Sequence, residues 1–162
     1  TYSSQASSIR ESTNINEIID SLLRLNEENF SDRNITVTRD FGELQDLLLD
    51  KTEIHEAIEN VIVNAIDSMP GGGELTITTG RERLNETTYA YIMLQDTGAG
   101  ITPEKMKIIF EPFFSTKISE KGTGLSLPIT KKIVESYGGF IRAESTEGSG
   151  TSFTLYFPLT QK

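Results

Sequence analysis

The stretch KTEIHEAIENVIVNAIDSM, residues 51–69, constrains the fold more than any other segment. Its Ile54, Ile58, Val61, Ile62, Ala65 and Met69 recur at helical spacing, and Thr52 is placed to cap the start. PGGG at 70–73 ends the helix, and two strand-like runs follow, ELTITTGRER and TTYAYIMLQD, separated by turn residues around Asn85. The rest of the chain repeats this mixture. NINEIIDSLLRLNEEN, 14–29, sets Ile15, Ile18, Ile19, Leu22, Leu23 and Leu25 in a helical pattern that Ser12 or Asn14 could cap, and NITVTRDF alternates as a strand with Ile35 and Val37 on one face. PEKMKIIF, 103–110, reads as a short helix with Pro103 near its start. LSLPITKKIVESYGG is a helix closed by Gly138 and Gly139; Pro128 is tolerated only in its first turn, which puts the start near Thr123 to Leu125. Two last strands, GFIRAEST and GTSFTLYFPL, flank the turn EGSG. Helices mixed with hairpin-linked strands, without regular βαβ alternation, predict an α+β fold: a two-layer α/β sandwich with a mixed, mostly antiparallel sheet and helices on one face.

Length and charge narrow the function classes. The 162 residues suit one domain, and 24 Asp and Glu against 15 Lys and Arg give a net charge of −9. Such a surface repels nucleic-acid backbones and anionic lipid, so an anionic ligand would have to be held by backbone dipoles, a metal ion or a few local cations. The absence of cysteine removes disulfides and thiolate metal sites. No apolar run approaches the roughly 20 residues that span a bilayer, and no signal-peptide pattern opens the chain. The chain begins with Thr1, and TYSSQASSIREST carries no clear fold signal, so it reads as a fragment of something longer, with 1–11 as a linker and 12–162 as the domain.

Three separated segments have the chemistry of a nucleotide site. Asn60, Asn64 and Asp67, at spacings of four and three, share one face of their helix. Amides are mediocre helix formers, but their oxygens are hard neutral donors suited to Mg²⁺. Asp96, Gly98 and Gly100 in DTGAGI end a strand; a carboxylate there accepts from an exocyclic amine, and the glycines admit backbone close to a flat ring. Adenine meets that requirement, whereas guanine presents a carbonyl and is repelled. Gly122 and Gly124 in KGTGLSLP precede a helix whose unpaired N–H groups suit phosphate, although no Walker loop occurs. Taken singly, these segments also read as a solvated helix face, a turn and a helix entry.

Taken in order, N-x-x-x-N-A, D-x-G-x-G-I, F-E-P-F-F-S-T-K and G-T-G-L-S-L resemble the N box, first glycine box, F box and second glycine box of sensor histidine kinases. The resemblance covers about residues 14–160, GSGTSF near the end included, and IFEPFFSTK with NAIDSMPGGGELTI looks most like the nitrogen-regulation branch. It implies the Bergerat ATP-binding fold shared with gyrase, heat-shock chaperone and mismatch-repair ATPases, with ATP and Mg²⁺ as ligands. By that resemblance Asn64 is assigned to Mg²⁺, Asn60 stands beside metal and phosphates, and Asp67 lies at a more variable position near the nucleotide. Asp96 reads adenine; Gly98, Gly100 and Ile101 shape its pocket, and Thr151 helps hold the carboxylate. Phe110, Phe113 and Phe114 form the F box at one end of an ATP lid spanning roughly 103–124, with Thr116 on the nucleotide side and Lys117 and Lys121 placed to reach phosphate as the lid closes. Gly122, Thr123, Gly124 and Leu125 form the phosphate-side hinge. Ser126 stands where the family usually has a third glycine, and we expect it to retune lid closure modestly.

The resemblance also implies a phosphoacceptor histidine. His55 in IHEAIENV echoes an H-E-x-x-x-P pattern, with Asn60 in place of the proline, but its helix already supplies the N box and cannot also receive the phosphoryl group. The acceptor is therefore expected upstream, in a dimerisation domain whose second helix would end in residues 1–11. A response regulator is the expected downstream partner, with a monomeric fragment, a homodimeric parent, a cytoplasmic location and no nucleic acid; whether the parent is membrane-anchored is left open. Two alternatives share the nucleotide site: a serine kinase of the anti-sigma-factor type, and a nucleotide-binding regulatory module without transfer activity.

Overall fold

The structure is a computed structural model describing residues 9–111 and 126–159, the side chain of Ser126 excepted. Asn14 caps α1 (Ile15–Leu25), its side chain accepting from the Glu17 N–H at 3.1 Å. Ser12 instead lies in a three-residue strand, β1 (Glu11–Thr13), and donates its hydroxyl to Asp46. The helix expected over 14–29 divides at Asn26, whose side-chain nitrogen donates back to the Leu22 carbonyl at 2.9 Å and competes with the main-chain ladder. A short α2 (Glu27–Asp32) follows, burying Phe30. Leu25 falls outside the stripe formed by Ile15, Ile19, Leu22 and Leu23 and is 69% exposed.

β2 (Ile35–Phe41) leads to β3 (Leu47–Leu49), which pairs antiparallel with β1 in the register Glu11↔Leu49. Three residues are too few to show alternation, so neither short strand was visible in the sequence. Asp50, not Thr52, caps α3 (Lys51–Asp67), accepting from the Glu53 N–H at 3.1 Å. Both residue types cap helices, but Asp50 also accepts the Ile9 N–H at 2.9 Å, which ties the entering chain to the helix start. α3 buries Ile54, Ala57, Ile58, Val61, Ile62, Ala65 and Ile66.

β4 (Gly73–Leu84) and β5 (Thr87–Asp96) form an antiparallel hairpin closed at Leu84↔Thr87. Asn85 in the turn takes φ 58°, a left-handed conformation that asparagine tolerates. α4 (Pro103–Met106) is shorter than the sequence suggested, because Lys107–Phe110 continue as tight turns. α5 (Ser126–Ser136) carries Pro128 in its first described turn and leads to β6 (Phe140–Thr146) and β7 (Gly150–Pro158). The main sheet has the order β2-β4-β5-β7-β6, parallel only between β2 and β4. Its inner face presents Leu75, Ile77, Ala90, Ile92, Leu94, Phe153, Leu155 and Phe157 to α1, α3 and α5 in one continuous core. This is the expected α+β arrangement. No helix among the described residues is long and apolar enough to cross a membrane.

One phenol joins three parts of the fold. The Tyr137 hydroxyl accepts the Asp50 N–H and donates to Glu53, each at 2.8 Å, while the Arg10 guanidinium lies 4.4 Å over the ring. Burial, with Glu53 beside it, pushes the phenol pKa up to about 12. Tyr137→Phe takes away the acceptor of a buried N–H and should cost about 1–3 kcal/mol. The expected readout is a lower urea midpoint with an unchanged denaturant slope.

Candidate functional site

β5 delivers Asp96, a residue only 4% exposed, to the end of the sheet. Oδ1 accepts the Gly98 N–H at 2.8 Å and the Thr151 N–H at 3.2 Å. Burial raises the Asp96 pKa above its ordinary value; those two N–H groups act in the opposite direction. The surrounding backbone is packed too closely for side chains. A Cβ on Gly98 would run into the Ser68 carbonyl, and one on Gly100, at φ +82°, into the Thr146 carbonyl. Behind the carboxylate, the Ile101 N–H donates to Ser145 Oγ at 2.7 Å, and Ser145 Oγ lies 2.9 Å from Thr151 Oγ1.

The end of α3 is stitched to this loop through Ser68. Its N–H donates to the Asn64 carbonyl, its hydroxyl to the Ala65 carbonyl at 2.8 Å, and its own carbonyl accepts the Ala99 N–H at 3.3 Å. Asn60, Asn64 and Asp67 are half-buried along one face of α3. Asp67 Oδ1 is 3.8 Å from the Arg33 guanidinium, and its Oδ2 is buried with no hydrogen-bond partner among the described residues. Asn60 Nδ2 donates to Thr130 Oγ1 at 3.3 Å, and Thr130 donates to the Ala57 carbonyl at 3.0 Å, which joins α3 to α5.

Among the described residues, no three His, Cys, Asp or Glu side chains form a cage that would hold a metal by themselves. The donors present on α3, two carboxamides and an orphaned carboxylate oxygen, are hard oxygen ligands. They fit Mg²⁺, which retains water and completes its shell with phosphate oxygens.

The structure thus joins Asn60, Asn64 and Asp67 to Asp96, Gly98 and Gly100 through Ser68, and to α5 through Thr130. Ile101 and Thr151 lie in the hydrogen-bonded layer behind Asp96. Phe110 packs edge-on against Phe153, with ring centroids 6.3 Å apart. Phe113, Phe114, Thr116, Lys117, Lys121, Gly122, Thr123, Gly124 and Leu125 lie outside the described residues. The His55 side chain is 40% exposed and 3.7 Å from Glu59, one helical turn on. The sequence reading missed Ser68, Ser145 and Thr130. Thr130 alone left a signal there: it is a polar residue at a core position, between Leu127 and Val134 on one helix face.

The family described as histidine kinase-, DNA gyrase B-, and HSP90-like ATPase matches residues 49–161. The chain belongs to that family. Among curated relatives of this ATPase domain, sporulation kinase C of Bacillus subtilis is 36% identical over 147 residues, covering 90% of this chain but 33% of that kinase. The chain therefore spans about a third of that relative's length. Among solved structures, a nucleotide-free catalytic domain of histidine kinase ThkA matches with a TM-score of 0.78 at 31% identity, covering 92% of this chain and 97% of that one. ThkA in complex with the response regulator protein TrrA matches with a TM-score of 0.75 at 29% identity, over 93% of this chain and 42% of that chain.

The packing of the ATPase domain's glycine loop gives a direct test. Gly98→Ala should destabilise the fold by about 1–3 kcal/mol through overpacking against Ser68. Gly71→Ala, where nothing lies within 4 Å of the new Cβ, should stay within about 0.5 kcal/mol of wild type in the same thermal melts.

Proposed function

We propose that this domain binds ATP with Mg²⁺ and presents the γ-phosphoryl group to a histidine on a dimerisation domain outside the chain, in two-component signalling. The observation that carries the reading is Asp96: a buried carboxylate, fixed by two backbone N–H groups at the edge of a glycine loop. Adenine's exocyclic amine satisfies such an acceptor, and guanine's carbonyl opposes it. Gly98, Gly100 and Ile101 shape the pocket wall, and Thr151 holds Asp96 in place. Asn60 and Asn64 serve the metal and phosphates, with Asp67 beside them. Magnesium, when bound, would neutralise charge on the β- and γ-phosphates as the phosphoryl group leaves.

Phe114, Thr116, Lys117, Gly122, Thr123, Gly124 and Leu125 would close over the phosphates. Backbone N–H groups let an acidic domain hold a polyanion without a basic surface. This chain contributes positioning and electrostatics, while the nucleophilic imidazole comes from the partner domain. A response regulator is the natural recipient, as ThkA is solved with TrrA. We place the domain in the cytoplasm, with the fragment monomeric and its parent homodimeric.

Asp96→Asn keeps an oxygen for the Gly98 and Thr151 N–H groups, so the fold should persist. It should weaken ATP by about ten-fold or more in calorimetry, the worth of one charge-assisted hydrogen bond; equal affinity would rule out the adenine assignment. Transfer of label from ATP to the histidine-bearing domain, giving an acid-labile product, tests the second half of the reading.

The raised Asp96 pKa fixes the sign of two pH effects. Because the folded carboxyl binds its proton more tightly than the unfolded one, its contribution favours the fold at low pH and is lost as the pH rises through the folded value. Melting temperatures should therefore shift in favour of Asp96→Asn, relative to wild type, as the pH climbs out of the carboxylate range towards neutrality. ATP affinity of the wild type should move the other way, weakening as acid protonates the acceptor.

A further inference from the structure

Asp67 closes α3 with a carboxylate that the fold leaves incomplete. Its Oδ2 is buried with no donor among the described residues, and its Oδ1 faces the Arg33 guanidinium at 3.8 Å, an ion pair too long to be a hydrogen bond. A buried acceptor without a donor is costly, and native structures keep one where a water, an ion or a ligand completes it. The side chain as a whole is 27% exposed. The terminal torsion of aspartate is soft and two-fold, so either oxygen turns to the open side at little cost.

Its place on the helix selects among those occupants. Asn60 and Asn64 share its face, Asn64 lying about 4.5 Å back along the axis. Ser68, the next residue, accepts the Ala99 N–H from the glycine loop whose Gly98 N–H holds Asp96. Asp67 therefore stands between the groups that serve phosphate and metal and the loop that reads the base. The part of a nucleotide between base and phosphates is the sugar, whose hydroxyls donate hydrogen bonds. A carboxylate repels phosphate oxygens but accepts from a hydroxyl, as acidic residues do from ribose in dinucleotide sites. We propose that Asp67 is a specificity-determining residue that accepts from a ribose hydroxyl, so that this domain separates ribonucleotides from deoxyribonucleotides. The inference rests on the ATP reading above, which supplies the two ends between which Asp67 stands.

Calorimetry with ADP, 2′-deoxy-ADP and 3′-deoxy-ADP, each in EDTA and again with Mg²⁺, separates sugar from metal. In EDTA the wild type should bind ADP about ten-fold more tightly than one of the two deoxy forms, the effect of one hydrogen bond to a charged group. Asp67→Ala should bind all three alike, within about two-fold of the wild-type affinity for that weaker form, because removing the hydroxyl and removing its acceptor delete the same contact. Asp67→Asn keeps an acceptor oxygen without the charge, and its preference for ADP should shrink to about three-fold.

Equal affinities for the three ligands in the wild type overturn the proposal, as does a preference that survives intact in Asp67→Ala. A loss in Asp67→Ala that appears only with Mg²⁺, and falls equally on all three ligands, assigns the carboxylate to the metal and overturns it too. Failure of the wild type to bind ADP at all is a different result: it removes the nucleotide reading itself, and the proposal with it. Should Asp67→Ala not fold, the isosteric Asp67→Asn decides, since an unchanged ratio of ADP to deoxy-ADP affinity in that variant refutes the sugar contact.

Discussion

The site is organised around keeping one carboxylate out of water. Taking the Asp96 charge into the end of a sheet costs several kcal/mol unless donors replace its hydration. The replacements come from main chain: the N–H of Gly98 two residues on, and the N–H of Thr151 on the neighbouring strand. Backbone donors can only come so close where side chains are absent, which is why Gly98, Gly100 and Gly150 press against carbonyls of Ser68, Thr146 and Asp96. The loop's glycines follow from the buried charge.

The same economy explains the amide stripe on α3. Asn60, Asn64 and Asp67 would weaken an ordinary helix surface, but here each end of the stripe meets a partner element. α5 receives Asn60 through Thr130, and Arg33 approaches Asp67 from the α2–β2 connection. Ser68 then carries the helix end into the glycine loop. Three segments far apart in sequence thus share a bonded framework, although the chain's −9 charge offers no general attraction to phosphate.

Much of this could be read from the residues because it rests on period and on glycine. The helical repeat of Ile54, Ile58, Val61 and Ile62 and the alternation through Leu75, Ile77, Ile92 and Leu94 announced the two layers, and the D-x-G-x-G spacing announced the loop. What stayed hidden was cooperative or too short to leave a pattern. Thr52 and Asp50 are both sound helix caps, and contacts remote in sequence separate them: the bond from Ile9, 41 residues upstream of Asp50, and the Tyr137 hydroxyl on the Asp50 N–H. β1 and β3 exist because they pair with each other. Ser68 and Ser145 matter through contacts with loops remote in sequence, and serine near a turn is too common to carry that information.

The hairpin turn at Asn85 reaches further than its position suggests. Side chains along a strand alternate between faces, so the two-residue connection that sets Leu84 opposite Thr87 also decides that Asp96 stands opposite Leu75 and shares its inward face. A one-residue slip of β5 against β4 would turn the carboxylate to the opposite side of the sheet and put Gln95 or Thr97 in its place, and the buried Ile92 and Leu94, which resist such a slip, hold it inward. The inward aim of this carboxylate is therefore set partly by a connection far from it.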